Sequence, residues 1–404
     1  MLKNSSRALL FAPQLFASFL GAQEAESLKE ALSNGDPSVN LRYRYEFVDD
    51  AAFDLGAHAS TLRTALGYRT LPFKGFSFFV QAQNVTAIGN DKFNNRGASS
   101  LANGIADRPV VADPSQTRMQ QAYLRVEAFD SAFDLGRREV FYGDHRFVGD
   151  VRWRQNYQAF DGFYASSRAI DKTTLSYTFA DKVVRIFGDE KDMSSHLLNG
   201  LVQVNRDISL ELFGYLLDYD EQQDFKLSSQ TYGFRLLGGQ DLRGDLKLLF
   251  EAEYAKQTDY ADNRANLKAN YLELVGGLGL LGRLNVRVGR ELLGAAEGSL
   301  AFQTPLATGH KFNGWADKFL ATPADGLVDR YVSLDGKFRA MSWVVVYHDF
   351  GADEGDAVYG QELDLQTVYV SSWEQSFGFK LALYREDGFS TDSSKLWLWT
   401  QYVF

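Results

Sequence analysis

From about residue 38 to its end the chain alternates between apolar and polar residues. In VNLRYRYEFV, Leu41, Tyr43, Tyr45 and Phe47 share one side of an extended backbone, and Arg42, Arg44 and Glu46 share the other, because strand side chains alternate. The same two-faced pattern returns many times. Leu62, Thr64, Leu66 and Tyr68 oppose Arg63, Ala65, Gly67 and Arg69. Phe76, Phe78, Val80 and Ala82 oppose Ser77, Phe79, Gln81 and Gln83. Ala122, Leu124 and Val126 oppose Tyr123, Arg125 and Glu127. Leu246, Leu248, Phe250 and Ala252 oppose Lys247, Leu249, Glu251 and Glu253, and similar segments start near Leu284 and Leu363. One such segment fits a half-buried strand of any soluble protein. Repeated at hairpin spacing, it predicts one continuous antiparallel sheet of ~18 strands.

The spacers support closure of that sheet. Short connections (71–75, 169–172, 205–208, 280–283, 338–341, 372–376) alternate with long polar ones (88–116, 141–157, 218–228, 258–268, 292–326, 350–360). Short turns at one end and long loops at the other are the layout of a transmembrane up-and-down β-barrel. The last segment, KLWLWTQYVF, sets Leu396, Leu398, Thr400, Tyr402 and Phe404 against Trp397, Trp399, Gln401 and Val403. An aromatic edge strand invites pairing with other chains, and closing it onto the first strand removes that edge. The expected organisation is a signal peptide over 1–22, a periplasmic segment over 23–37 and one all-β barrel over 38–404. Lys3 and Arg7, an apolar run from Ala8 to Leu20 and the small pair Gly21-Ala22 carry the leader reading.

Composition narrows the function classes. Among 404 residues there are 31 Phe, 20 Tyr and 35 Gly but 7 Pro, which suits strands, turns and aromatic girdles. The mean hydropathy of −0.26 is far from that of a helical membrane protein. With no cysteine there is no disulfide or thiolate chemistry, and a net charge of −10 argues against nucleic acid as a partner. GLGLLG (277–282) matches a dinucleotide fingerprint, but the strand-like LNVRVGRE that follows makes it a strand end and tight turn. His196 beside Ser194 and Ser195 is the nearest approach to a hydrolytic pair, and a polar cluster near a turn is the plainer reading. Neither a catalytic residue, a resident metal nor a cofactor is expected. The acidic loop runs DYDEQQD (218–224) and DFGADEGD (349–356) read as solvated surface, or as sites for calcium or lipopolysaccharide-bridging cations.

Desolvation decides which face meets lipid. A charged side chain in hydrocarbon costs several kcal/mol, so the charged rows point inward. Arg42, Arg44, Arg63, Arg69, Arg125, Arg235 and Arg287 are then lumen candidates, mixed with Glu46, Glu127, Glu251, Glu253, Glu273 and Asp364. Two stretches at strand–loop junctions add more. GRREVFYGDHRFVGDVRWRQNYQAFDG (136–162) holds Arg137, Arg138, Arg146, Arg152 and Arg154 among Tyr142, Trp153 and Tyr157. GHKFNGWADKFLATPADGLVDRYVSL (309–334) holds His310, Lys311, Trp315, Asp317, Lys318 and Arg330. Guanidinium forks bind carboxylates through paired hydrogen bonds, and aromatic faces suit sugar rings.

These two stretches resemble the alginate-export family of bacterial outer-membrane barrels. The matching positions are Gly136, Arg137, Glu139, Gly143, Asp144, Arg146, Trp153, Arg154, Phe160 and Asp161, then Phe312, Trp315, Asp317 and Lys318. The resemblance implies a monomeric barrel in the outer membrane of a Gram-negative bacterium, with an arginine-lined, anion-selective pore. The expected function is passive passage of anionic saccharides, either acidic polysaccharide or oligosaccharide. The expected pore residues are Arg42, Arg44, Arg63, Arg125, Arg137, Arg138, Arg146, Arg152, Arg154, Arg287, Lys318 and Arg330. Expected partners are outer-membrane lipid and lipopolysaccharide, the acidic saccharide, and the barrel-assembly machinery through the strand ending at Phe404. The alternatives are a general or small-anion porin, a barrel enzyme or adhesin, and a soluble secreted β-protein.

Overall fold

The computed structural model describes residues 24–297 and 300–404, and the expected leader over 1–22 lies outside them. The alternating pattern leaves one greasy and one wet face along each strand, and a sheet closed on itself satisfies both. Strands β1 to β6 are Asp36–Asp50, Ala57–Arg69, Phe76–Lys92, Gln116–Ala128, Ser131–Arg138 and Ala159–Ser167. Strands β7 to β12 are Thr173–Val184, Glu190–Gln203, Ile208–Leu217, Ser229–Asp241, Leu246–Asp259 and Lys268–Leu280. Strands β13 to β18 are Leu284–Leu293, Leu327–Phe338, Met341–Gly351, Val358–Val370, Ser376–Glu386 and Ser393–Val403. Together they form one 18-stranded antiparallel sheet.

Each strand pairs with its neighbour in the chain, and β18 returns to β1 with Asn40 opposite Val403 and Asp50 opposite Ser393. The backbones of Val39 and Phe404 exchange hydrogen bonds of 2.6 and 3.0 Å, which finishes the seam. The outward rows are those expected: Leu41, Tyr43, Leu66, Phe76, Leu124, Leu248, Leu363 and Leu398 are all exposed. Inward, Arg42, Arg44, Glu46, Arg63 and Trp397 are buried.

Connections at one end are short: 70–75, 129–130, 168–172, 204–207, 242–245, 281–283, 339–340 and 371–375. Phe129 and Asp130 both take positive φ (54° each), the backbone a two-residue hairpin needs to follow strand twist. Gly282 (φ 61°) sits in the turn after β12, so the fingerprint-like glycines are indeed strand end and turn. A six-residue helix, Leu28–Ser33, capped by Ser27, lies under the 70–75 turn. There Leu71 N–H donates to the Ala31 carbonyl (3.1 Å) and Ala25 N–H to that of Pro72 (2.8 Å). The first strand starts at Asp36, inside the segment expected to precede the barrel.

At the other end, 93–115, 139–158 and 294–326 are long, but 51–56, 185–189, 352–357 and 387–392 are not. The long loops do not stand out into solvent. Phe147, Trp153, Phe302, Leu306, Trp315 and Phe319 fold back into the bore. There they pack on Phe160, Phe213, Tyr215, Tyr271, Tyr384 and Trp397 from the inward rows. The main hydrophobic cluster of this barrel is therefore inside it, made by loops against wall.

Candidate pore constriction

A loop folded into a bore carries carbonyls and N–H groups that no sheet ladder satisfies, and each needs another partner. Part of the answer is loop against loop. Val148 bridges Leu306, and Gly149 N–H donates to the Leu306 carbonyl at 2.8 Å. The Gln158 amide reaches the carbonyls of Gly149 (2.7 Å) and Leu306 (3.1 Å).

The rest of the answer comes from the arginines of β1. Arg42 donates to Gln155 Oε1 (2.8 Å), to the Arg152 carbonyl (2.8 Å) and to the Arg154 carbonyl. Arg44 donates to the Trp153 carbonyl and pairs with Asp113, with Glu46 at 3.3 Å. Alternate residues of one strand thus hold three consecutive loop carbonyls. Arg63 donates to Gln83 (3.2 Å) and lies 3.9 Å over the Tyr157 ring.

Loop arginines reach back to the wall. Arg154 pairs with Glu46 and with Asp317, both at 3.1 Å. Arg146 pairs with Glu291 (2.7 Å), donates to Asn313 Oδ1 (2.9 Å) and lies over the Phe312 ring. Arg152 joins Glu139 (2.8 Å) and Asp150 (2.7 Å), its side chain 23% exposed. Lys318 pairs with Asp50 at 2.7 Å.

Arg125 grips Asp134 with both arms of its fork (2.7 and 2.9 Å), and Arg138 shares that carboxylate. Arg287 pairs with Asp335.

Two of the expected pore residues face outward. Arg330 lies on the opposite face of β14 from Asp329, Tyr331 and Asp335, 58% exposed and 3.5 Å from Asp349. Arg137 follows the outward Leu135 and pairs with Asp161 (2.7 Å) and Glu190 (3.0 Å) on the outer wall. A second correction concerns the inward set. Arg42, Arg44, Arg63, Arg125, Arg146 and Arg154 are at most 7% exposed, so they bind protein rather than a passing solute. Burying a guanidinium is tolerated here because carbonyls and carboxylates replace its water.

The structure adds residues that strand patterning alone does not mark. Lys380 of β17 points between Trp315 and Trp153, its Nζ 3.7 and 4.1 Å from the ring centres. Trp153 stacks on His310 at 4.4 Å and meets Trp397 and Trp399 edge-on. Lys380 Nζ is 2.7 Å from His310 Nε2, and an ammonium can only donate, so Nδ1–H faces Asp317 at 2.7 Å. Burial pushes the His310 imidazole well below its ordinary pKa of 6.5. Burial alone would raise the Asp317 carboxyl, but His310, Lys395 and Arg154 hold it well below the usual range. Lys395 lies 2.9 Å from Asp317. Its place within the closing strand, two residues before the inward Trp397, was a signal available in the sequence.

Charge is divided across the bore. The inward positions of β1 to β5 carry Arg42, Arg44, Arg63, Arg69, Arg118, Arg125 and Arg138 against acids that include Asp36, Glu46, Asp50, Glu127 and Asp134. The inward positions of β9 to β14 carry Glu211, Asp241, Glu251, Glu253, Asp259, Glu273, Glu291, Asp329 and Asp335 against Arg235, Lys247, Arg287 and Lys337. The first wall holds a slight excess of cations and the second a clear excess of acids. No hydrolytic pair forms at His196, whose Nδ1 is 2.8 Å from Tyr177 OH; Ser195 Oγ bonds the backbone of Asp218 instead.

Solved structures share this architecture. OccK9 (OpdG) of Pseudomonas aeruginosa superposes with a TM-score of 0.72 at 15% identity, covering 93% of this chain and 99% of that one. OccAB2 of Acinetobacter baumannii gives 0.71 at 14% identity, over 91% and 98%. The outer membrane protein OpdK of Pseudomonas aeruginosa gives 0.69 at 18%, over 91% and 98%. A sequence comparison with curated proteins finds no match. The sequence model of the alginate export family matches residues 36–261. The chain belongs to the alginate-export family and is a porin-like channel of the Gram-negative outer membrane.

Proposed function

We propose that the protein is a passive channel for small anionic saccharides, uronate oligosaccharides first among them. The observation that carries this reading is the division of charge across the bore. Arg152 and Arg138 are partly exposed along the cationic wall, with Arg69 half-buried further along. An anion passing there meets several cations, of which Arg152 and Arg138 are already weakened by protein carboxylates. Binding at many weak sites lets a solute enter and still leave. The opposing acidic wall repels carboxylates and accepts hydrogen bonds from hydroxyls, which suits a sugar acid. The loops in the bore favour monomers and short oligomers over a thick polymer.

The pairing of every expected arginine with a protein group supports a second reading, a small-anion porin with little preference among saccharides. Planar-bilayer recording separates the two. Block of the current by an oligouronate but not by a neutral oligosaccharide supports the first, and equal block refutes it. OpdK has been solved with vanillate, which makes vanillate a useful second probe. As partners we propose lipopolysaccharide around the outer wall and the barrel-assembly machinery, reading the strand that ends at Phe404. A leader over residues 1–22 belongs to the same proposal.

A further inference from the structure

The apolar outer wall has a lower edge at the short-turn end, and one arc of that edge repeats a pattern. In five consecutive short turns, from the one after β6 to the one after β14, an exposed apolar residue is followed within two positions by an exposed cation. Val204, Leu242 and Phe338 continue the outward rows of Leu198, Phe234 and Val332, and Arg206, Arg243 and Arg339 come next. Leu281 with Arg283, and Ile170 with Lys172, repeat the pair in the other two turns. These apolar side chains are from 42% (Leu242) to 69% (Leu281) exposed. The rest of the rim differs. Turns 129–130 and 371–375 carry Asp130 and Glu374 and no cation, and the helix Leu28–Ser33 lies under 70–75.

Two features point to one kind of occupant. An apolar side chain at the end of a lipid-facing row stays among acyl chains, and a long basic side chain beside it reaches the headgroup level. Arg339 lies 5.3 Å over the Phe338 ring, so cation and hydrophobe share one spot. The cations are also available. Among the described residues Arg243, Arg283 and Arg339 form no ion pair, and Arg206, 3.2 Å from Asp207, is still 83% exposed. Asp171, Asp207 and Asp245 share these turns, but the cations outnumber them. Guanidinium forks match the paired oxygens of a phosphate. A soluble anion would use the cations and leave the greasy neighbours without a role.

We propose that this arc, from the turn after β6 to the turn after β14, is a docking surface for anionic phospholipid in the leaflet at the short-turn end. The phosphates lie against Arg206, Arg243, Arg283 and Arg339, and the acyl chains against the apolar residue that precedes each. The lipid holds the barrel at a fixed depth on the side that carries the acidic inner wall. The surface is independent of the saccharide reading. It requires only that the barrel crosses a membrane.

The tryptophans make the test local. Trp153, Trp315 and Trp397 are buried in the bore, and Trp399 packs edge-on against Trp153. Trp343 lies on the outward face of β15 opposite Gly336, and Trp373 sits in the 371–375 turn, 63% exposed. The full barrel is reconstituted in phosphatidylcholine vesicles with rising fractions of a brominated lipid, which quenches tryptophans that touch it. Brominated phosphatidylglycerol should quench at lower fractions than brominated phosphatidylcholine, a preference of about threefold at low salt. At about 0.5 M salt, screening should remove most of it. The Arg243→Gln, Arg283→Gln, Arg339→Gln triple variant should lose the preference, and lysine at the same three positions should keep it. Arg385→Gln, at the loop end, should leave it unchanged. Heat-modified gel mobility reports folding, and if the triple variant does not fold, Arg283→Gln alone should still show a smaller preference than wild type. Equal quenching of wild type by the two lipids overturns the proposal and leaves the cations to a soluble anion at the mouth. A folded variant with the wild-type preference overturns it too, since the preference would then arise elsewhere on the wall.

Discussion

Arg154→Met removes a side chain that joins β1, the 139–158 loop and the 294–326 loop. Arg154 holds Glu46 and Asp317 at 3.1 Å, and both carboxylates are buried. Taking away one partner of a buried ion pair costs about 3–5 kcal/mol, because the other charge stays in a dry place. The lower end applies here. Glu46 keeps Arg44 at 3.3 Å and Asp317 keeps Lys395 at 2.9 Å. A loss of about 3 kcal/mol raises the population of loop-released barrels about a hundredfold. The sheet ladder does not involve this side chain, so the barrel itself should still assemble. Single-channel recording is the assay. The variant should show frequent brief openings above the wild-type level, while its heat-modified gel mobility stays that of a folded barrel. Arg330→Met, outward and exposed, is the control and should change stability by less than about 0.5 kcal/mol. A folded Arg154→Met barrel with wild-type conductance and noise would refute the idea that these arginines clamp the loops.

Other outcomes can be checked alongside. Arg152→Gln should lower anion preference, read as a smaller reversal potential across a salt gradient; an unchanged potential would remove Arg152 from the permeation path. Because burial holds the His310 pKa below 6.5, the released loop takes up a proton more readily than the packed one. The clamp is therefore fully present above that value and weakens as pH falls below it. Loop noise should rise on acidification, and His310→Gln should flatten that dependence. The Asp317 carboxyl, held well below its usual 3.8, should contribute only in stronger acid, as pH drops through its lowered pKa. Deleting Phe404 removes its two backbone bonds to Val39 and should slow barrel assembly in vitro, seen as delayed appearance of the heat-modifiable band.

The barrel itself could be read from the residues because a period of two is a local property. Leu41 and Arg42 must face opposite ways in any strand, and water and lipid then assign the faces. The inward placement of Arg42, Arg44, Arg63, Arg125 and Glu251 follows from that rule alone. The same rule gives little warning about Arg137, which sits at an irregular strand end after Gly136 (φ 131°), or Arg330, which shares a strand with the inward Asp329. In those stretches the phase of the alternation could not be fixed from neighbouring residues.

The strand order, the closing seam and the side that meets lipid were thus set by neighbouring residues along the chain, since alternation and hairpin turns act over a few positions. The use to which the arginines are put was not. Arg42 reaches residues 152 and 154, Arg146 reaches residue 291, and Lys380 reaches His310, across separations that carry no periodic signal. Only when three loops fold into the bore do their carbonyls need donors, and the guanidiniums of the wall are then the donors within reach.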